Sequence, residues 1–179
     1  MPKFHVGPRR LQPVHENAEA EPYRRLVLHP LSPTVGAEVA GVDVAAPLDD
    51  ETLAELRRAI LDYKVIFFRD QDVTTEQHLA FARRFGTLET HPFAPHKDGY
   101  PEVLLLEKNE QLGGYENVWH SDVTWRLQPS LGSVLRAREV PSVGGDTLFS
   151  DMVAAYAASD YWPQRRVMER VTIIGDTPV

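Results

Sequence analysis

The chain has 179 residues, 42% of them hydrophobic, and a formal charge of −7 at neutral pH. That length suits one domain with a real core, and the acidic balance argues against broad attraction to nucleic acid or an anionic membrane, so an anionic substrate would need locally placed arginines. The absence of cysteine excludes a disulfide scaffold, a thiolate zinc site and a cysteine nucleophile; His and carboxylates remain as metal ligands, and the expected compartment is the cytoplasm.

No apolar run approaches a membrane span, and Met1-Pro2-Lys3-Phe4-His5 lacks the apolar centre of a signal peptide. Residues 1–22 mix prolines and charges without periodicity and read as an irregular arm. Opening strands are expected from Tyr23 to Leu28 and from Ala37 to Val44. Asp49 and Asp50 begin a helix in which Leu53, Leu56, Ile60 and Leu61 recur at helical spacing through Tyr63. Lys64 to Phe68 reads as a buried strand. Thr74 with Gln77 fits a capping box for a helix carrying Leu79, Ala82 and Phe85, which Gly86 can end.

His91-Pro92-Phe93-Ala94-Pro95-His96 is a proline-stiffened segment, on pattern alone a surface loop. Val103-Leu104-Leu105-Leu106 reads as a buried core strand. Leu131 to Arg138 is a further strand, and Gly144-Gly145 permits a tight turn that presents Thr147. There is no internal repeat.

Between these strands lies Trp119-His120-Ser121-Asp122-Val123-Thr124-Trp125. Extended backbone puts residues i and i+2 on one face, so His120 and Asp122 can converge on one ion. An imidazole and a carboxylate with open positions suit a non-haem Fe(II) that must also bind a cosubstrate and oxygen. Alone, His-x-Asp is unspecific, and a pair of surface polar residues is its ordinary meaning. Trp119 and Trp125 either wall such a metal from water or belong to the core.

With Trp119 before the histidine, Val123-Thr124-Trp125 after the aspartate and Gly144-Gly145-Asp146-Thr147-Leu148 downstream, the chain resembles the taurine dioxygenase family of Fe(II)/2-oxoglutarate-dependent oxygenases, alkylsulfatase-type members included. Arg83-Arg84-Phe85-Gly86 followed by a His-Pro loop, and the block Pro163-Gln164-Arg165-Arg166, extend the resemblance over residues 23–179. It implies a β-rich α+β fold, a double-stranded β-helix or jelly roll with helices outside. It also implies His120 and Asp122 as metal ligands, Thr147 and Arg166 on the 2-oxoglutarate carboxylate, His91 lining the substrate pocket and Arg170 on the substrate's anionic group. A planar guanidinium grips a carboxylate or sulfonate with two parallel hydrogen bonds, which suits both arginines to these roles. Ala94 stands where the taurine enzyme carries a tyrosine, which points away from taurine to a related sulfonate or alkyl sulfate.

The matching blocks lie closer together than in the family, since only Leu148 to Trp162 separates the Gly-Gly-Asp-Thr turn from the arginine block. The family's second metal histidine would fall at Ala155, and no histidine follows His120. The expected organisation is therefore an arm over residues 1–22 and one dioxygenase-like domain over 23–179 with an apparent internal deletion near 150–157, either a true loss from the protein or a stretch that this sequence omits. The expected activity is hydroxylation of a small sulfonate or alkyl sulfate with O2, giving succinate, CO2, sulfite or sulfate and an aldehyde. The alternative is a non-catalytic anion-binding remnant; a zinc hydrolase using His120 and Asp122 ranks last, for want of three protein ligands. Sheet edges exposed by a deletion would make a homo-oligomer one way of covering them.

Overall fold

The structure, a computed structural model, describes residues 21–107, 119–123, 126–157 and 171–175, with 155–157 and 171–175 described by backbone alone. In chain order the elements are β1 (Val27–Pro30), β2 (Ala37–Ala40), α1 (Asp50–Tyr63), β3 (Val65–Phe68), α2 (Thr75–Arg83), β4 (His96–Lys97), β5 (Tyr100–Leu104), β6 (Gly132–Arg136), α3 (Met152–Ala157) and β7 (Val171–Gly175). Five strands form one sheet in the order β1-β2-β3-β7-β6, and β4 pairs with β5 separately. β1 runs antiparallel to β2, while β2/β3, β3/β7 and β7/β6 are parallel. Parallel neighbours need crossovers, and α1 lies in the chain between β2 and β3.

Helix α1 begins where the sequence places it. Asp49 is extended and accepts a hydrogen bond from the Thr52 amide at 2.7 Å, with Asp50 and Glu51 in the first turn to complement the helix dipole. Lys64, at φ 68°, ends the helix by donating its amide to the Ile60 carbonyl at 2.8 Å. The buried stripe is Leu53, Leu56, Ala59, Ile60 and Tyr63. Leu61, expected on this face, is exposed, because one residue beyond Ile60 turns the side chain about 100° towards solvent.

Helix α2 has the expected capping box: Gln77 N donates to Thr74 Oγ1 at 3.2 Å and Thr74 N to Gln77 Oε1 at 2.8 Å. It stops at Arg83, before Phe85, and its buried residues are Leu79 and Phe81, with Ala82 only half-buried. Phe81 stacks edge-on against Phe68 with ring centroids 5.6 Å apart. Leu26, Val39, Leu56, Ile66, Phe68 and Phe81 belong to one core cluster, against which Val134 of β6 packs. Ile66 is fully buried, and removing such a side chain to alanine costs about 2–5 kcal/mol.

Two expected strands are displaced by local chemistry. Between Tyr23 and Leu26 the chain is not a strand: the amides of Arg24, Arg25 and Leu26 donate to the Glu55 carboxylate at 2.8, 2.9 and 3.2 Å, so α1 satisfies backbone that a ladder would otherwise pair. Desolvation works against the charge on Glu55, and these amides outweigh it, holding the carboxyl below its usual range. The second displacement concerns Val103–Leu106. Only Tyr100–Leu104 is strand, its partner β4 has two residues, and Leu104, Leu105 and Leu106 are all exposed. A continuous apolar run signals a buried strand where both faces are covered, and among the described residues no second layer covers this one.

The expected mixture of strands and helices is present, with about as much helix as strand among the described residues, and these do not form a complete double-stranded β-helix. No described helix is long and apolar enough to cross a membrane. The Arg166 and Arg170 block and most of the N-terminal arm lie outside the described residues.

One polar contact joins α2 to β6: His78 Nε2 lies 3.0 Å from the Val134 carbonyl. Burial of the ring, assisted by nearby Arg136, pushes the His78 pKa below its ordinary value against the opposing effect of that hydrogen bond. A histidine with a depressed folded pKa contributes stability that is present above its ordinary pKa of about 6.5 and is lost as pH falls through the lowered value. Thermal midpoints measured at pH 7 and pH 5 should therefore fall with acidification, and the fall should be smaller in His78→Gln. An equal fall in both proteins would remove His78 as a cause.

Candidate metal and anion site

His120 and Asp122 come together, although Asp122 stands in a turn and not in the extended strand expected of it. His120 Nε2 lies 3.4 Å from Asp122 Oδ1, and both side chains are more than half exposed. Two metal–ligand bonds of about 2.1 Å at a right angle put their donor atoms about 3 Å apart. The pair therefore fits two neighbouring positions on one ion, in a borderline-N, hard-O donor set that Fe(II) accepts. Among the described residues no group of three or more His, Asp or Glu side chains could hold a metal.

The residue after Asp122 is conformationally costly. Val123 has φ 47°, a left-handed conformation that a β-branched side chain disfavours, at a cost of about 1–3 kcal/mol. Arg126 donates its amide to the Val123 carbonyl at 3.2 Å, and its guanidinium pairs with the carboxylate of Glu89. Glu89 lies two residues before His91, so this ion pair ties the segment carrying the ligand pair to the His-Pro loop. Neither Val123 nor the Arg126–Glu89 pair was legible in the sequence: a positive φ at valine has no residue signature, and two charges far apart in the chain announce no contact.

His91 is half-buried and held by its own loop. Its Nδ1 accepts from the amides of Ala94 at 3.0 Å and Phe93 at 3.2 Å. With Nδ1 an acceptor, the ring carries its proton on Nε2, and the imidazole meets its surroundings through a donor. Phe93, whose ring lies 6.3 Å from that of His91, is almost fully exposed.

Thr147 is exposed and follows two left-handed glycines, Gly144 at φ 80° and Gly145 at φ 77°. Both angles favour glycine, and at Gly145 a Cβ would also come within 3.0 Å of Pro141 Cγ, a tight contact. Beyond the turn, Phe149 packs edge-on to Phe67 of β3 at 6.0 Å, anchoring the segment to the sheet. Ala155, where the resemblance would place a second metal histidine, lies on α3, whose start is capped by Asp151 accepting from the Ala154 amide at 2.9 Å. Trp119 is 70% exposed, which removes the core reading for that tryptophan. Trp125, Arg166 and Arg170 lie outside the described residues.

Residues 28–174 match the family model described as taurine catabolism dioxygenase TauD, TfdA family. The chain is 36% identical to an alkylsulfatase of Acinetobacter baylyi, over 75% of this chain and 42% of the relative. It is 43% identical to an (S)-phenoxypropionate/alpha-ketoglutarate-dioxygenase of Sphingobium herbicidovorans, over 73% of this chain and 47% of the relative. A crystal structure of a taurine dioxygenase from Burkholderia xenovorans is 42% identical where aligned, covering 47% of this chain and 32% of that one with a TM-score of 0.44. The chain thus spans less than half the length of these relatives. With most of its length matched by the family model, the chain belongs to the TauD/TfdA dioxygenase family.

Proposed function

We propose that the chain serves Fe(II)- and 2-oxoglutarate-dependent hydroxylation of a small organic anion by O2. The observation that carries this reading is the 3.4 Å approach of His120 Nε2 to Asp122 Oδ1 in a chain of this family. His120 and Asp122 would hold the iron. Thr147 would donate its hydroxyl to the distal carboxylate of 2-oxoglutarate, and Arg166 would pair with that carboxylate. His91, with its proton on Nε2, suits donation to the anionic group of the substrate, and Arg170 would supply that group's counter-charge. Iron, when bound, would supply the centre at which O2 is activated; O2 is the oxidant, taking two electrons from 2-oxoglutarate, which leaves as succinate and CO2, and two from the substrate's C–H bond.

The proposed substrate is a sulfonate or alkyl sulfate, in keeping with the alkylsulfatase among the relatives. Hydroxylation at the carbon bearing the sulfur or sulfate group would leave a product that breaks down into an aldehyde with sulfite or sulfate. A phenoxy acid is the competing substrate, suggested by the second relative's name. Both are small organic anions with a single charged end, which His91 and Arg170 can address alike. The cytoplasm remains the proposed compartment.

We further infer an internal deletion between Leu148 and Trp162, which would remove strands of a jelly roll together with the second metal histidine. Ala155 on α3, and a ligand pair without a third His, Asp or Glu among the described residues, favour a second reading for the chain as it stands: an anion-binding remnant with weak or no turnover. Succinate formation separates the two. With Fe(II), 2-oxoglutarate and an alkyl sulfate under oxygen, an active enzyme forms succinate and sulfate together; a remnant forms neither while still binding the anion.

His120→Ala should weaken Mn(II) binding by at least about tenfold, since even groups one shell away from a metal are worth that much. Unchanged affinity would sink the ligand assignment. Arg166→Ala should raise the 2-oxoglutarate concentration needed for half-saturation about tenfold or more, because a charge-assisted hydrogen bond is worth about 1.5–3 kcal/mol. Binding measured by calorimetry with Mn(II) present checks this without relying on turnover, and an unshifted isotherm would take Arg166 out of the site.

A further inference from the structure

Two features around the ligand pair have no part in holding metal or cosubstrate: the left-handed Val123 directly after Asp122, and the Arg126–Glu89 ion pair. We propose that Arg126 and Glu89 form a positioning strap, which keeps Val123 left-handed and so fixes His120 and Asp122 against the loop carrying His91. The proposal rests on the reading of His120 and Asp122 as metal ligands.

A valine relaxes to negative φ unless the surrounding structure over-determines it. Here Arg126, three residues on, is held twice. The Arg126 amide bonds back to the Val123 carbonyl at 3.2 Å, and the Arg126 guanidinium is drawn to Glu89. Relaxation of Val123 would rotate the chain beyond Asp122 relative to the ligand pair, and Arg126 would have to leave Glu89. The strap and the strained residue therefore hold or release together. Because Glu89 is two residues from His91, the same contact sets the ligand pair relative to the loop whose histidine lies near it in sequence, a coupling that the short His-x-Asp spacing cannot supply by itself. Neither strap residue is proposed to touch the metal, so both are positioning residues. The arginine and glutamate side chains are 33% and 44% exposed, and partly exposed pairs have modest worth; the expected effect is about threefold to fivefold in metal affinity.

The test is Mn(II) titration followed by electron paramagnetic resonance on the full chain, with thermal midpoints recorded alongside. Arg126→Ala and Glu89→Ala should each weaken Mn(II) binding about threefold to fivefold, and the double variant should be no worse than either, as for residues acting as one unit. The exchanged pair Glu89→Arg with Arg126→Glu should recover most of the affinity. So should Arg126→Ala combined with Val123→Asn, because asparagine accepts the left-handed conformation at little cost. A merely structural ion pair would move the thermal midpoint and leave Mn(II) affinity where it was, with no rescue by Val123→Asn. Unchanged affinity in both single variants, while His120→Ala still loses Mn(II), overturns the strap and leaves the metal site standing. Unchanged affinity in His120→Ala overturns the metal site itself, and the strap with it. If the alanine variants fail to fold, Arg126→Gln and Glu89→Gln decide: Mn(II) affinity several-fold lower in a folded protein upholds the strap, and unchanged affinity refutes it.

Discussion

The fold depends on burying β3. Val65, Ile66 and Phe68 are almost wholly removed from water, with β2 and β7 on either side and residues of α1 and α2 in the same core cluster. Each such side chain contributes about 1.5–3 kcal/mol by leaving water, but only if both flanking strands and a helical layer are in place. The buried hydrophobic residues lie between Leu26 and Phe81, so this unit concentrates the apolar burial of the described residues. β6 joins it from far along the chain, through β7 and through Val134.

The candidate site is built outside that unit. His120, Asp122 and Thr147 are exposed, and His91 is half-buried on a loop. Such residues cannot be placed by core packing and depend on local devices: two backbone amides fixing the His91 ring, two left-handed glycines before Thr147, and the Phe149–Phe67 contact that brings the turn back to β3. Loops held this way can be re-aimed without disturbing the core. That separation suits a family whose relatives carry names as different as alkylsulfatase and phenoxypropionate dioxygenase.

What could be read in the sequence was local. The Asp49 cap, the Thr74–Gln77 box, the stripe from Leu53 to Tyr63 and the His120–Asp122 approach all follow from residues near each other in the chain, and each is found, Leu61 of the stripe excepted. Readings that needed distant partners fared worse. Tyr23–Leu26 has strand composition, yet Glu55 captures its amides. Leu104–Leu106 has core composition, yet no described layer covers it. The resemblance identified the family where periodicity could not, because the flanks of His120 and the Gly144-Gly145-Asp146-Thr147 turn carry more information than their secondary structure does. Val123 is the opposite case, a residue whose importance lies entirely in its backbone angle.

Everything proposed for the site requires that His120 and Asp122 bind one metal. A crystal structure of the full chain grown without oxygen in Mn(II) and 2-oxoglutarate tests it directly. A single ion is expected, with His120 Nε2 and an Asp122 carboxylate oxygen each about 2.0–2.2 Å away, and with Thr147 and Arg166 on the 2-oxoglutarate carboxylate. Mn(II) bound elsewhere, or His120 and Asp122 turned apart with no ion between them, would contradict it.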